Sequence, residues 1–327
     1  MQEPVAVVSL PAVLRNARVL RRIAGVPLIA VVKDDAYGHG AQEVACALED
    51  LVLMFAVATV DEGAKLKIAG TSKDVLVLTP PSEREEAMRA AAYDLILTAA
   101  SFPSLGLCAG CRAHFALNTG MNRYGFHPQE VLRACKAAKR QMVRVEGVFS
   151  HFYDAADAVS RTAQIRTFGT LSALVRRFYP DALRHLSATG GILAGDGAFD
   201  AVRPGIGLYG YAPPNFSCSL TPAMKVYADV LACNAAFGGG AGYARAVEDC
   251  RSYHTLGVGY GDGFFRSGGL GSVGALCMDA CVRKGEATLR SRVCVMDNAE
   301  RYAAQNNTTA YEVLTAIGKG VNRRYER

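Results

Sequence analysis

Between residues 28 and 203 the chain alternates short apolar runs with segments that suit helices, such as Asp61–Ile68 and Pro128–Lys139. Strands buried on both faces give such uninterrupted apolar runs, and parallel neighbours need helical crossovers between them. Eight strand-then-helix units predict a closed (β/α)8 barrel of the TIM type. The candidate strands are Leu28–Val32, Phe55–Val60, Val75–Leu78, Leu95–Thr98, Ala113–Leu117, Val145–Phe149, Leu183–Ser187 and Ala201–Arg203.

The pattern changes after the proline-containing segment Tyr211–Asn215. Short alternating runs, which are typical of half-buried strands, then follow between glycines. We therefore predict an α/β chain of two domains: a barrel over residues 9–214 and a smaller, mostly β C-terminal domain over residues 215–327. The later runs are Met224–Ala232, His254–Val258, Leu276–Val282 and Val293–Met296, with a closing helix from Ala310 to about Gly318.

Composition limits the classes of function. Half of the residues are hydrophobic, no apolar run approaches the roughly 18 residues that cross a bilayer, and the start lacks secretory-signal features. We expect a cytoplasmic protein without membrane contact. The net charge of +6 is spread along the chain, which argues against nucleic-acid binding. Cys108 and Cys111 form one CxxC, but no second pair lies at zinc-finger spacing, so no metal site is expected.

Distinctive polar residues follow the ends of five candidate strands: Lys33, Arg123, His151, Thr189 and Arg203. Taken singly, each has a structural explanation, and a lone histidine near a strand end is more often structural than catalytic. In a barrel, however, the carboxyl ends of the strands carry the active site. Their shared placement predicts an active site at that face.

Lys33 lies in the segment AVVKDDAYGHG. A lysine at the end of a buried strand is costly as an ammonium ion, and burial favours the neutral amine, which attacks aldehydes or takes a proton. The segment closely resembles the motif of the alanine racemase family in which a lysine forms a Schiff base with pyridoxal 5'-phosphate. The resemblance implies that Lys33 anchors this cofactor and acts as a base, and that Tyr37 touches its phosphate.

Three further segments resemble the same family. NTGMNRYGF contains Arg123, which the resemblance assigns to the cofactor oxygen and the substrate. GVFSHF contains His151, which in the family helps to orient the arginine and tyrosine network. HLSAT places Thr189 at the hydroxyl position that contacts phosphate.

VRPGIGLYG contains Arg203 and is similar to the family's arginine-proline-glycine segment. The resemblance implies that Arg203 faces the pyridine nitrogen and that the backbone N–H groups of Gly205 and Ile206 bind phosphate. Because a guanidinium keeps its proton, it does not protonate the ring nitrogen, and the ring withdraws electrons less strongly. Quick reprotonation is then favoured over transamination.

In the second domain, GVGYGDGF surrounds Tyr260, and its glycine spacing does not match a dinucleotide fingerprint. It resembles the family segment whose tyrosine is the second base. A phenol ordinarily ionises at about pH 10, so such a base needs nearby positive charge, for which His151 and Arg203 are candidates. The resemblance also assigns the backbone N–H of Met278 to the substrate carboxylate and Tyr311 to the phosphate and the site entrance.

One departure concerns the support of Arg123. In many family members a lysine carbamate holds this arginine, but the aligned position here is Ala116. We expect a chloride ion, a water molecule or a neighbouring side chain to satisfy the guanidinium instead.

The resemblance predicts an isomerase that interconverts L-alanine and D-alanine by two-base proton exchange, in which Lys33 and Tyr260 serve opposite faces of the substrate's α-carbon, with supply of D-alanine for the cell wall as its role. In the family the tyrosine comes from the partner subunit, so a head-to-tail homodimer with shared active sites is expected. Two alternatives stay open: a racemase of serine or another small amino acid, and a catalytically weak pyridoxal-phosphate carrier or regulatory protein.

Overall fold

The computed structural model describes residues 3–237, 239–243 and 251–327. Its strands are β1 Val5–Ser9, β2 Ile29–Val31, β3 Met54–Val57, β4 Asp74–Val77, β5 Leu97–Ala99, β6 Arg112–Ala116, β7 Arg144–Phe149, β8 Leu183–Ala188, β9 Ala201–Arg203, β10 Met224–Ala235, β11 Ser252–Leu256, β12 Cys281–Lys284, β13 Arg292–Met296 and β14 Asn322–Glu326. Its helices are α1 Leu10–Ala24, α2 Lys33–Tyr37, α3 Ala41–Leu48, α4 Val60–Ile68, α5 Arg84–Ala92, α6 Phe102–Leu107, α7 Val131–Arg140, α8 Ala158–Arg176, α9 Thr189–Ala194, α10 Ala299–Gln305 and α11 Ala310–Gly320. Within these residues no helix combines the length and apolar character needed to cross a membrane.

The chain folds into two compact units. We call residues 14–34 and 41–220 the α/β unit, and residues 3–13, 35–40 and 221–327 the β unit. The later boundary between the units lies after residue 220, whereas the sequence pattern places it after residue 214. The short segment 35–40 packs with the β unit, although it lies between two stretches of the α/β unit in the sequence.

The α/β unit contains all eight strands predicted between residues 28 and 203; β9 has the predicted bounds and the other seven have shifted ends. They form two parallel sheets, β2-β3-β4 and β5-β6-β7-β8-β9. Isolated parallel bridges join Leu76 to Ile96 and Leu28 to Val202. The two sheets are therefore bonded to each other at both pairs of edges.

The parallel strands are apolar because helices follow them and cover the sheet. All four residues of β3 are buried. The next helix, α4, begins at a capping box in which the Thr59 hydroxyl accepts from the Glu62 N–H and the Glu62 carboxylate accepts from the Thr59 N–H. The turn that follows β3 is thus fixed by local hydrogen bonds.

The β unit is a six-stranded sheet in the order β12-β11-β10-β1-β14, and β13 also pairs with β10. Val5 on β1 lies opposite Tyr227 in antiparallel register and beside Asn322 in parallel register. The first and last strands of the chain therefore pair within this unit.

Three elements of the β unit, β1, β14 and α10, are not predicted by the sequence pattern. The run that begins at Leu276 becomes a strand only at Cys281, because the residues before it form a loop in which the Cys277 carbonyl accepts the Tyr260 N–H at 3.1 Å. The predicted closing helix is confirmed as α11.

Candidate active site

The backbone turns left-handed directly after Lys33. This half-buried lysine opens α2, in which the φ angles of residues 34–37 all lie between 51° and 54°. An L-residue in a left-handed helical turn costs about 1–2 kcal/mol relative to a right-handed one. Four consecutive non-glycine residues in this region persist only where surrounding groups hold them.

Two side chains hold this turn, one within each unit. In the α/β unit, the Glu62 carboxylate accepts from the backbone N–H of Asp34 at 2.7 Å and from that of Ala58 at 2.7 Å. In the β unit, the guanidinium of Arg323 pairs with the Asp35 carboxylate at 2.5 Å and donates to the Gly38 carbonyl at 3.0 Å. The backbone that follows Lys33 is thereby fixed by charge-assisted hydrogen bonds.

Arg203 ends β9 and is almost fully buried, at 3% exposure. Its Nη2 donates to the carbonyls of Ser150 and Leu186, at 2.5 and 2.9 Å, and its Nη1 donates to the carbonyl and the Nδ1 of His185, at 2.7 and 2.6 Å. Nε has no acceptor among the residues that the structure describes. Burial lowers the pKa of Arg203 to about 9, which leaves the guanidinium charged near neutral pH.

Two buried histidines, His185 and His114, continue the hydrogen bonding behind Arg203, and we call this pair the histidine relay. Its geometry determines which ring nitrogens carry the protons. A guanidinium has no acceptor, so Nδ1 of His185 must accept its hydrogen bond and the His185 proton lies on Nε2. That Nε2 is 2.9 Å from Nδ1 of His114, which therefore accepts in turn. Phe149 stacks on the His185 ring with a centroid distance of 5.2 Å. Both imidazoles are held in their neutral form.

The surroundings of His151 are positively charged. The pKa of this half-buried imidazole is held below its ordinary value, first by burial and then by the positive charges of Arg203, Arg123 and Lys33. Three cations that converge on one neutral imidazole create a positive field. Such a field favours anionic groups, for example a phosphate or a carboxylate.

Three of the predicted phosphate-binding residues, Thr189, Gly205 and Ile206, meet where β8 and β9 end. The buried hydroxyl of Thr189 accepts from the N–H groups of Gly205 and Gly207, at 3.3 and 3.2 Å. Ile206 opens a 3-10 turn, Ile206–Tyr209, whose geometry leaves the first N–H without a partner inside the turn. A hydroxyl and backbone N–H groups thus lie together, as anion sites require.

Arg123 lies on a loop that hydrogen bonds to the Asn118 side chain hold in place. The amide oxygen of Asn118 accepts from the N–H groups of Gly120 and Asn122, at 3.1 and 3.2 Å. Asn122 adopts a left-handed φ of 57°, which asparagine tolerates better than most residues. Leu117 and Phe126 form a parallel bridge that closes the loop. The loop holds the Arg123 backbone in one conformation.

In the β unit, Tyr260 and Met278 lie on adjacent backbone segments. The Gly261 N–H donates to the Met278 carbonyl at 2.8 Å, and a Cβ at Gly259 would lie 2.2 Å from the same oxygen. Glycine is therefore required for this close approach. Tyr260 is 36% exposed and Met278 is 55% exposed.

Tyr37 and Tyr311 also meet in the β unit, with ring centroids 6.1 Å apart. The backbone of Gly38, directly after Tyr37, packs closely against α11, since a Cβ at Gly38 would lie 2.3 Å from the Leu314 carbonyl. Burial raises the pKa of Tyr311 to about 12, so its phenol is a hydrogen-bond donor rather than a base near neutral pH.

The structure thus gathers the predicted site residues into two groups. Lys33, Arg123, His151 and Arg203 act on one another in the α/β unit, where Thr189, Gly205 and Ile206 also lie, whereas Tyr37, Tyr260, Met278 and Tyr311 belong to the β unit.

Sequence reasoning missed four residues that support these side chains: Glu62, His114, Tyr124 and His185. For His185 and Tyr124 a signal was available, because His185 opens the segment HLSAT and Tyr124 directly follows Arg123 in the segment NTGMNRYGF. Glu62 and His114 contact their partners through the tertiary fold, and their sequence neighbourhoods do not mark them.

The α/β group fits pyridoxal phosphate, the cofactor that the sequence resemblance implies. Lys33 forms no hydrogen bond or ion pair with the described part of the chain, so its amine is available to an aldehyde. The Nε of Arg203 offers a donor to a ring nitrogen, and the positive field suits a phosphate. A metal is not required by this arrangement, and within the described residues no three His, Cys, Asp or Glu side chains are placed to bind one.

Comparison with known proteins gives one consistent result. The family described as alanine racemase, N-terminal domain, matches residues 8–213. The chain is 32% identical to the alanine racemases of Deinococcus deserti, over 97% of each chain, and of Deinococcus radiodurans, over 98% of each chain. Among solved structures, the biosynthetic alanine racemase from Pseudomonas aeruginosa has a TM-score of 0.88 at 28% identity and covers 100% of each chain. An alanine racemase of Clostridium difficile 630 has a TM-score of 0.91 at 25% identity, with 100% of this chain and 96% of that chain covered.

Proposed function

The chain belongs to the alanine racemase family and interconverts L-alanine and D-alanine, and on that premise we propose that it uses pyridoxal 5'-phosphate, with Lys33 and Tyr260 as its two bases. The observation that carries this proposal is the convergence of Lys33, Arg123 and Arg203 on His151, because it places a lysine side chain without a protein partner among the described residues in a field that attracts phosphate and carboxylate.

Pyridoxal phosphate, when bound, supplies an electron-accepting ring that weakens the bond between the α-carbon of an amino acid and its hydrogen. Lys33 would hold the cofactor's aldehyde carbon through its amine until the substrate amine takes its place there, which would free Nζ to act as a base. Arg203 would donate its Nε hydrogen bond to the ring nitrogen and keep its own proton, because the guanidinium stays charged near neutral pH.

Two groups of residues then bind the charged ends of the ligands. Thr189, Gly205 and Ile206 bind the phosphate, together with the hydroxyls of Tyr37 and Tyr311. Arg123 and the backbone N–H of Met278 bind the substrate carboxylate, and Arg123 also contacts the cofactor oxygen. His151 stays neutral between these cations and orients the network by hydrogen bonding.

The α-proton moves between the substrate and two bases. Nζ of Lys33 exchanges it on one face of the α-carbon and the phenolic oxygen of Tyr260 exchanges it on the other. Bases of different chemistry on opposite faces allow reprotonation to either configuration, which is the requirement for racemisation.

Trapping and exchange test these roles in one protein. Borohydride reduction should fix a pyridoxyl group on Lys33, and Tyr260→Phe should retain it while racemisation falls by at least about a hundredfold. In deuterium oxide this variant should still exchange the α-hydrogen of one alanine enantiomer without inversion. Tyr243→Phe, at another exposed tyrosine of the β unit, is the matched control and should remain active. No label on Lys33, or full activity of Tyr260→Phe, would contradict the proposal, and a preference for serine would correct the substrate.

We further propose a head-to-tail homodimer in which each active site takes Lys33 from one chain and Tyr260 from its partner. Mixing inactive Lys33→Ala and Tyr260→Phe proteins after unfolding and refolding should restore about a quarter of the unmutated specific activity, because half of the dimers are mixed and each has one intact site. If the two residues act within one chain, the mixture stays inactive.

For the fold and location, we propose that β2–β9 close into a (β/α)8 barrel over residues 9–214 and that residues 215–327 form the second domain. The edge-to-edge bridges Leu76–Ile96 and Leu28–Val202 support closure. An experimental structure with either pair of edges apart would contradict it. We also propose a cytoplasmic location, which cell fractionation tests, because the buried thiols of Cys108 and Cys135 are free.

A further inference from the structure

Arg123 carries a full positive charge on the loop that follows β6, yet its guanidinium makes no hydrogen bond or ion pair with the described residues. Its backbone is fixed by the loop, but an arginine side chain has several rotatable bonds, and ordering it costs conformational entropy. A residue that binds a carboxylate in one orientation therefore needs a contact that limits its rotamers.

The face of Tyr124 supplies such a contact. The Arg123 guanidinium carbon lies 4.9 Å from the centroid of the Tyr124 ring, within the range of a cation–π interaction. The ring attracts the cation through its electron-rich face, and it also restricts the directions in which the side chain can extend.

The Tyr124 ring is itself held at its edge and its side. Its hydroxyl donates to the Leu78 carbonyl at 3.1 Å, and the ring packs against the buried cluster of Ala100, Ala116 and Phe149. Both alanines present only a methyl group to the ring. The half-buried tyrosine is thereby anchored while one face contacts Arg123.

We propose that Tyr124 is a positioning residue for Arg123, holding the guanidinium on its ring so that it is directed at the substrate carboxylate. This inference rests on the proposed function of Arg123. Ala116 offers no charge to the arginine, and the Tyr124 ring is the neighbouring side chain that contacts the guanidinium instead.

Kinetics of Tyr124→Leu and Tyr124→Phe separate positioning from folding. The leucine variant loses the aromatic face, so KM for alanine should rise about three- to fivefold, within the range of an exposed cation–π contact, because Arg123 is exposed, while kcat changes less. The phenylalanine variant keeps the face and should stay within about twofold of the unmutated KM. Tyr124→Met is the second apolar variant if Tyr124→Leu does not fold, as judged by circular dichroism.

A double-variant comparison identifies Arg123 as the residue through which Tyr124 acts. In Arg123→Met, the further change Tyr124→Leu should leave KM nearly unaltered, because the contact is already lost. An equal rise in KM with and without Arg123 would overturn the inference, as would a folded Tyr124→Leu protein with unchanged KM.

Calorimetric binding of propionate, which has a carboxylate but no amine, gives a readout independent of turnover. The dissociation constant of the purified enzyme should rise about three- to fivefold in Tyr124→Leu and stay nearly unchanged in Tyr124→Phe. Failure of the unmutated protein to racemise alanine would contradict the proposed function but leave this binding test in force. Failure to bind propionate would overturn the inference even if alanine is racemised.

Discussion

The histidine relay behind Arg203 makes the stability of the protein depend on pH. His114 is 1% exposed, and burial, followed by the charges of Arg203 and Arg112, lowers its pKa to about 3. In the unfolded chain an imidazole ionises at about pH 6.5. Between these values the unfolded state binds a proton that the folded state does not.

The sign and size of the effect follow from this difference. Stability is greatest above pH 6.5 and falls as the pH falls through that value, because protonation then favours the unfolded chain. At pH 5 the loss for one such imidazole is about 2 kcal/mol relative to pH 8, and at pH 6 it is about 1 kcal/mol. His185, whose pKa is also lowered by burial, adds a loss of the same sign.

The variant His114→Asn isolates the pH-dependent contribution of His114 to the free energy of unfolding. The asparagine oxygen replaces Nδ1 as the acceptor for His185 but does not titrate, whereas any cavity it leaves costs the same at every pH. The decrease in the free energy of urea unfolding from pH 8 to pH 5 should be about 2 kcal/mol smaller in this variant. His127→Asn, at an exposed histidine, is the control and should leave the decrease unaltered.

Circular dichroism follows the unfolding, and nitrogen-15 NMR of the histidine side chains checks the tautomers directly. An identical pH dependence in His114→Asn and the unmutated protein would refute the argument. So would a His114 proton found on Nδ1, because His185 would then have no acceptor for its Nε2 proton.

Three further predictions concern stability. Gly318→Ala places a Cβ 2.1 Å from the Cα of Gly38, so the unfolding free energy should fall by about 3 kcal/mol or more in urea titrations. Gly169→Ala, in α8 and with no atom within 4 Å of the new Cβ, should instead raise it by about 1 kcal/mol, and a loss there would contradict the helix-propensity argument. Glu62→Gln puts an amide donor against backbone N–H groups, among them that of Asp34. The unfolding free energy should therefore fall by about 1–3 kcal/mol, and borohydride labelling of the cofactor lysine should decrease. Unchanged labelling would show that this carboxylate does not support the turn.

The sequence predicts the eight parallel strands because most of their residues are buried and apolar, even where a strand such as β8 also carries polar side chains. It does not predict β14, whose residues Asn322–Glu326 are mostly polar. This strand exists because β1, at the other end of the chain, offers a parallel edge to it. The partner of β14 lies more than 300 residues away in the sequence, so the residues around β14 do not mark it as a strand.

The residues of the candidate site likewise divide into those that the sequence marks and those that it does not. Residues within the motif segments, such as Lys33 and Arg203, are visible because their neighbours in the chain accompany them. Glu62 and His114 are not, because the atoms they contact, the Asp34 N–H and the Nε2 of His185, are far away in sequence. The distances between them are properties of the packed fold.

The left-handed turn after Lys33 has a consequence for chirality. At residues 34–37 the backbone adopts the mirror image of an ordinary helical turn, which is the favoured region for D-amino acids. In a protein assembled by chemical ligation, D-alanine at position 36 would relieve strain that L-alanine carries there. A chain that inverts the configuration of alanine thus contains, next to its lysine, a backbone segment better suited to the opposite configuration of its own residues.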